Sequence, residues 1–182
     1  MKHVRRGGAY FRVVDPSWGD PLDTTYSKRH GGRRNAAGSF GVLYLNATIE
    51  VAAARARRNF EDEIATLYDL APEERPDLQV VQVAPSRFVD AVTDEGLRAL
   101  GLPRTYPKNA SRMRCQAVGG RAHKVGEKAI ACRSDVTWLE TGEGEELAVF
   151  DTGMSLVKRR ARMRFARWYP TEVPSRKKAR SR

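Results

Sequence analysis

The chain has 182 residues, 41% of them hydrophobic and 8% aromatic, enough to bury one sizeable core within the usual length of a single domain. No apolar run approaches the roughly 20 residues needed to cross a bilayer. The formal net charge of +11 sits at one end: residues 158–182 hold 11 Lys or Arg against the single acid Glu172, whereas the first 157 residues hold 22 basic and 21 acidic residues. A nearly neutral body argues against a domain whose main face tracks a phosphate backbone, so nucleic acid is expected only through the basic tail.

The N-terminus, MKHVRRGG, runs directly into a predicted strand without the apolar stretch of a signal peptide, and a cytoplasmic protein with no membrane attachment is expected. Cys115 and Cys132 are too few for a disulfide framework and lack zinc-ligand companions. His3, His30 and His123 are scattered, and no pair has the spacing of a metal-binding helix, so no metal is expected.

In chain order, Tyr10–Val14 (YFRVV) reads as a strand ended by Asp15-Pro16, with Arg12 projecting from it and loop residues following to Arg29. Phe40–Leu45 is a second strand, after which Asn46 or Thr48 caps a helix beginning near Ile49 and running through VAAARARRNF. Leu78–Ala84 (LQVVQVA) is a third strand, and Thr93 or Asp94 then caps a short helix ending at Gly101. A helical pattern spans Ala110–Lys124, followed by strands at Ala129–Cys132 and Glu146–Asp151. The segment 158–168 carries two periods at once. Ala161, Met163 and Phe165 alternate with arginines as in a half-buried strand, while Ala161, Phe165 and Trp168 match helical spacing; an edge strand with one cationic face is the preferred reading. After Pro170 almost nothing apolar remains, and the end is expected to be disordered. The pattern predicts an α+β domain of mixed small β-sheets with flanking helices over residues 1–157, and a basic C-terminal segment over 158–182.

The stretch His30–Tyr44, HGGRRNAAGSFGVLY, carries the chemistry. Gly31 and Gly32 permit positive φ and close backbone approach, Arg33 offers a planar fork of donors to phosphate oxygens, and the strand beyond presents Tyr44 as an aromatic platform. By themselves a glycine pair marks a tight loop and a strand tyrosine is as often a core residue as a ligand contact. Ser134 precedes Asp135 without a nucleophile-elbow pattern, which disfavours a hydrolase triad.

In combination these residues resemble the RES domain, from about Tyr10 to Phe150. The family's first arginine corresponds to Arg12 in YFRVV, its GGRWN-like motif to GGRRN (Gly31 to Asn35), its strand tyrosine to Tyr44 in GVLYL, and its late serine to Ser134 in AIACRSD; ELAVFD matches its closing strand. Two positions depart. Arg34 stands where the family usually has tryptophan, and Arg55 stands where it has its glutamate. Glu50, five residues upstream, lies roughly 140° around a helix from Arg55, and Glu61, Asp62 and Glu63 follow on the same stretch.

The resemblance implies an ADP-ribosyltransferase-like fold and a bacterial toxin that consumes NAD as substrate, paired with an antitoxin bearing a helix-turn-helix domain. It implies that Arg12, Gly31, Gly32, Arg33, Asn35 and Tyr44 bind NAD and that Tyr44 and Ser134 serve catalysis, the serine orienting substrate through its hydroxyl. The residue types suit that chemistry, since breaking the nicotinamide–ribose bond develops positive charge on the sugar and calls for a cationic grip on the pyrophosphate, an aromatic wall and a nearby carboxylate. Arg55 at the glutamate position leaves a second expectation, a catalytically impaired binding protein on the same fold, and the basic tail a third, nucleic-acid binding.

Overall fold

The computed structural model describes residues 1–59 and 66–170. Glu61, Asp62, Glu63 and the end of the basic segment, 171–182, lie outside the described residues. In chain order the elements are β1 (His3–Val14), α1 (Thr25–His30), β2 (Val42–Asn46), α2 (Ile49–Arg58), β3 (Asp77–Ala91), α3 (Asp94–Leu100), α4 (Arg112–Lys124), β4 (Ala129–Arg133), α5 (Trp138–Thr141), β5 (Glu145–Phe150), a 3-10 turn (Asp151–Leu156), β6 (Val157–Met163) and α6 (Phe165–Trp168).

All six strands join one sheet of order β1-β2-β5-β4-β3-β6, in which β1 also pairs with β3. The separate small sheets expected from sequence are thus fused: β1-β2-β5-β4-β3 returns to β1 in a closed circuit, with β6 outside it. The long strand β3 makes this possible. One edge pairs with β1 from Asp77 to Val89, while the other takes β6 antiparallel between Leu78 and Val83 and then β4 in parallel between Val89 and Ala91.

Sequence reasoning ends this strand at Ala84 because Pro85 cannot donate to a ladder. In the structure Pro85 sits at a bulge, where Ala84 and Pro85 together oppose Gly7 between the Gly8–Val83 and Arg6–Ser86 pairs. A Cβ on Gly7 would lie 2.6 Å from the Pro85 Cα, so the partner strand must be glycine there.

The alternation of side chains divides the interior into three cores. On one face of the sheet Val42, Val89, Ile130, Ala148 and Phe150 pack under α3 and α4 with Leu97, Leu100 and Val118. On the other, Leu43, Leu45, Val81, Phe88, Leu147 and Val149 fill the enclosed side. The third joins Ala52, Ala53 and Ala56 of α2 to Leu78, Phe165 and Trp168. Small alanines on α2 let that helix lie close to the sheet. Thr48, Thr93 and Ser111 accept from the N–H groups of Val51, Gly96 and Arg114 and so cap α2, α3 and α4, each worth about 1 kcal/mol.

The last segment is an edge strand to Met163, in which Ala161, expected on the buried side, is exposed, followed by a helical turn whose Phe165 and Trp168 are buried. The division at residue 157 therefore does not coincide with a break in the fold, because β6 pairs with β3 and α6 closes the third core. Among the described residues no helix is long and apolar enough to cross a membrane, and no group of three or more His, Cys, Asp or Glu is placed to hold a metal ion.

Candidate functional site

The site forms where the loop before β2 meets the ends of β1, β2, β4 and β5. Antiparallel pairing places Asn46 of β2 opposite Glu146 of β5, and Glu146 opposite Cys132 of β4. Directly opposed residues share a face, and Tyr44 lies two residues before Asn46 on that same face. All four side chains line one cavity of about 460 Å³, together with Arg12, Arg33 and Arg34.

The 31–35 loop is fixed by its own residues and by α4. Gly31 takes φ 71°. Gly32 needs glycine for a different reason, since a Cβ there would lie 2.5 Å from the Tyr44 hydroxyl oxygen. Gln116 of α4 donates to the carbonyls of Gly32 and Asn35 at 2.9 and 3.1 Å. Asn35 is fully buried and donates to the carbonyls of Ser27 and Phe40 at 2.7 and 2.8 Å. Gly31 and Asn35, expected to bind ligand, do not line the cavity; their φ and amide hydrogens are committed to shaping the loop. Gly32 borders a neighbouring depression with Arg33 and Asp135.

Arg12, Arg33 and Tyr44 do come together. Arg12 has no ion pair among the described residues: its one hydrogen bond is a 3.5 Å contact to the Asp23 carbonyl, and its guanidinium lies 5.4 Å from the Trp18 ring centroid. Burial lowers its pKa to about 10, against the pull of Asp23 and Asp20. Arg33 donates to Asp135 at 2.8 Å and to the Pro107 carbonyl at 3.1 Å, while its Nε is buried with no partner. The Tyr44 hydroxyl accepts from the Arg34 N–H at 2.9 Å, and burial pushes its pKa up to about 12, keeping the phenol neutral.

Arg34, in the tryptophan position, is the largest buried side chain of the site at 1% exposure. Its guanidinium donates to the Tyr106 hydroxyl and lies 5.2 Å from that ring's centroid, leaving Nη1 buried with no partner. Ser134 is fully buried behind the cavity wall and donates to Glu146 at 2.8 Å.

Arg55 faces the cavity from α2 and joins two carboxylates, donating to Asp135 and, at 2.5 Å, to Glu146. Burial works against its charge, yet Glu146 and Asp135 hold its pKa above the ordinary arginine value. Burial likewise opposes the charge of Asp135, but Arg55 and Arg33 keep its carboxyl below the usual range. Glu50 is exposed and does not line the cavity.

Sequence reasoning missed Glu146, Asp135, Tyr106 and the aromatic mouth formed by Trp18 and Tyr26. A signal existed for Glu146. In the adjacent pair Glu145-Glu146 the two side chains must point to opposite faces of β5; Glu145 pairs with Arg6 at 2.7 Å on one face, leaving Glu146 on the cavity face. Tyr106 and Trp18 lie on connections whose course no local pattern encodes.

A family profile described as the RES domain matches residues 9–169. Among solved structures, a chain of the M. tuberculosis MbcT–MbcA toxin–antitoxin complex shares the fold with a TM-score of 0.72 at 19% identity, covering 88% of this chain and 85% of that chain. No curated protein matches the chain in sequence.

Proposed function

The chain belongs to the RES-domain family, and on that footing we propose that it consumes NAD on an ADP-ribosyltransferase-like fold as the toxin of a toxin–antitoxin pair. The observation that carries the reading is the convergence of guanidinium groups on one cavity, where Arg12, with no ion pair among the described residues, stands with Arg33 and Arg34. A guanidinium without a carboxylate partner suits an anionic ligand, because hydrogen bonds between ionised groups are roughly twice as strong as neutral ones. Beside them stand the Tyr44, Tyr106 and Trp18 rings. Fixed cations next to aromatic faces suit a diphosphate flanked by planar bases. The similarity to a chain of a toxin–antitoxin complex supports a cognate antitoxin; the proposal takes that antitoxin to be of helix-turn-helix type and the pair to act in the cytoplasm.

In this reading Arg12 and Arg33 grip the diphosphate, Tyr44 walls the ring, and the Ser134 hydroxyl acts through the carboxylate it touches. Purified protein incubated with NAD, with and without inorganic phosphate, is expected to release nicotinamide in at least one condition, and expression without an antitoxin is expected to arrest growth. Absence of nicotinamide release in both conditions, with normal growth on expression, contradicts the proposal and favours the impaired binding protein.

A further inference from the structure

Two carboxylates line the cavity, and their oxygens are differently engaged. Asp135 is held at both: Oδ2 accepts from Arg33 and Oδ1 from Arg55. Glu146 receives both its donors on one oxygen, Oε1, from Ser134 at 2.8 Å and from Arg55 at 2.5 Å, and Oε2 has no donor among the described residues. Glu146 is 9% exposed and stands at the end of β5 on the cavity face, opposite Asn46. It is therefore clamped on one oxygen and open on the other, the arrangement suited to an acceptor that meets a ligand hydroxyl or a developing cation.

We propose that Glu146 is the carboxylate that faces the ribose of the bound dinucleotide, with Arg55 and Ser134 as positioning residues that fix its plane. The inference rests on the NAD reading of the same cavity. In the step it serves, the bond between ribose C1′ and the pyridinium nitrogen of the nicotinamide breaks, its electron pair stays on that ring nitrogen as neutral nicotinamide leaves, and positive charge is left on the sugar. Oε2 accepts from a ribose hydroxyl and lies against that charge. Water or phosphate then bonds to C1′ and gives its proton to solvent, so atoms and charge balance. Asp135, bridged between two arginines, has no oxygen without a donor. The charged and titratable groups facing Glu146 are Arg55 from α2, Asp135 beyond β4, Cys132 on β4 and Tyr44 on β2.

The test compares wild type with Glu146→Gln in NAD binding by calorimetry and in nicotinamide release. The amide retains an oxygen for Ser134 and Arg55 but loses the charge. The expected result is a fall in kcat of about 100-fold or more, with the Kd for NAD changed less than about threefold. A kcat close to wild type overturns the assignment, as does a loss carried entirely by Kd. Should Glu146→Gln lack the wild-type thermal transition, Arg55→Gln carries the test: freeing the carboxylate from its clamp should lower kcat by about tenfold or more with the Kd for NAD little changed, Arg55→Lys should recover part of that loss, and an unchanged kcat overturns the positioning role. Wild type that releases nicotinamide no faster than Glu146→Gln overturns the role of Glu146 alone; wild type that binds NAD without releasing nicotinamide overturns that role and the NAD-consuming reading together, and wild type that does not bind NAD overturns the reading of the cavity as well.

Discussion

At the scale of single residues the site is a problem in charge balance. Five guanidinium groups and two carboxylates line the cavity, and each arginine is held differently. Arg133 is structural, donating to the carbonyls of Val92 and Arg104 and to Asp94, and it ties the end of β4 to neighbouring loops. Arg33 and Arg55 are both bound to Asp135, whose folded pKa is depressed chiefly by Arg55 once the opposing effect of burial is overcome. A depressed carboxylate contributes stability above its unfolded pKa and loses it as pH falls through the folded value. Wild type should therefore lose stability as the pH drops below about 4. Asp135→Asn should cost about 1–3 kcal/mol at neutral pH and flatten that acid decline. Urea titrations across pH test this, and an acid decline as steep in the variant as in wild type would refute it. The substitution of Arg55 for the family's acid looks, on the helix alone, like the loss of a carboxylate. In three dimensions it lies beside a carboxylate supplied by another strand, which one-dimensional spacing cannot reveal.

At the scale of elements, legibility follows how local the cause is. The helices α2, α3 and α4 begin at Thr48, Thr93 and Ser111 because a hydroxyl satisfies an unpaired N–H a few residues away, and Thr48 and Thr93 are recognisable as caps in the sequence. β3 was underread because the tolerance of Pro85 depends on Gly7, nearly eighty residues earlier in the chain. β1 was underread for the same reason, its first residues being strand through pairing with β3. The helix α4 carries a further long-range constraint in Gly119. A Cβ there would fall 1.8 Å from the Arg34 carbonyl oxygen, backbone that cannot simply swing aside. Gly119→Ala should gain helix propensity yet lose about 1–3 kcal/mol or more through overpacking, and disturb the loop that presents Arg33 and Arg34. A denaturation midpoint equal to or above that of wild type would contradict this packing.

At the scale of the whole molecule, a sheet closed on itself brings residues far apart in sequence to one opening. Arg12 comes from β1, Arg33 from the loop before β2, Arg55 from α2 and Glu146 from β5. The mixed α/β character was legible in the order of elements, whereas the closure was not, because it depends on β1 and β3 pairing with each other. Charge is partitioned in space as well as along the chain. On the edge strand β6 Lys158, Arg159 and Arg160 are exposed while Arg162 pairs with the buried Asp77 at 2.8 Å, and the cavity keeps its own set. Arg12, a cavity cation with no ion pair among the described residues, offers the most direct test of the claim that this opening grips a dinucleotide's diphosphate. Titration calorimetry of NAD into wild type and Arg12→Ala should give a Kd at least about tenfold weaker for the variant, the worth of one charge-assisted contact, with thermal stability retained. Equal dissociation constants for the two proteins would contradict the account.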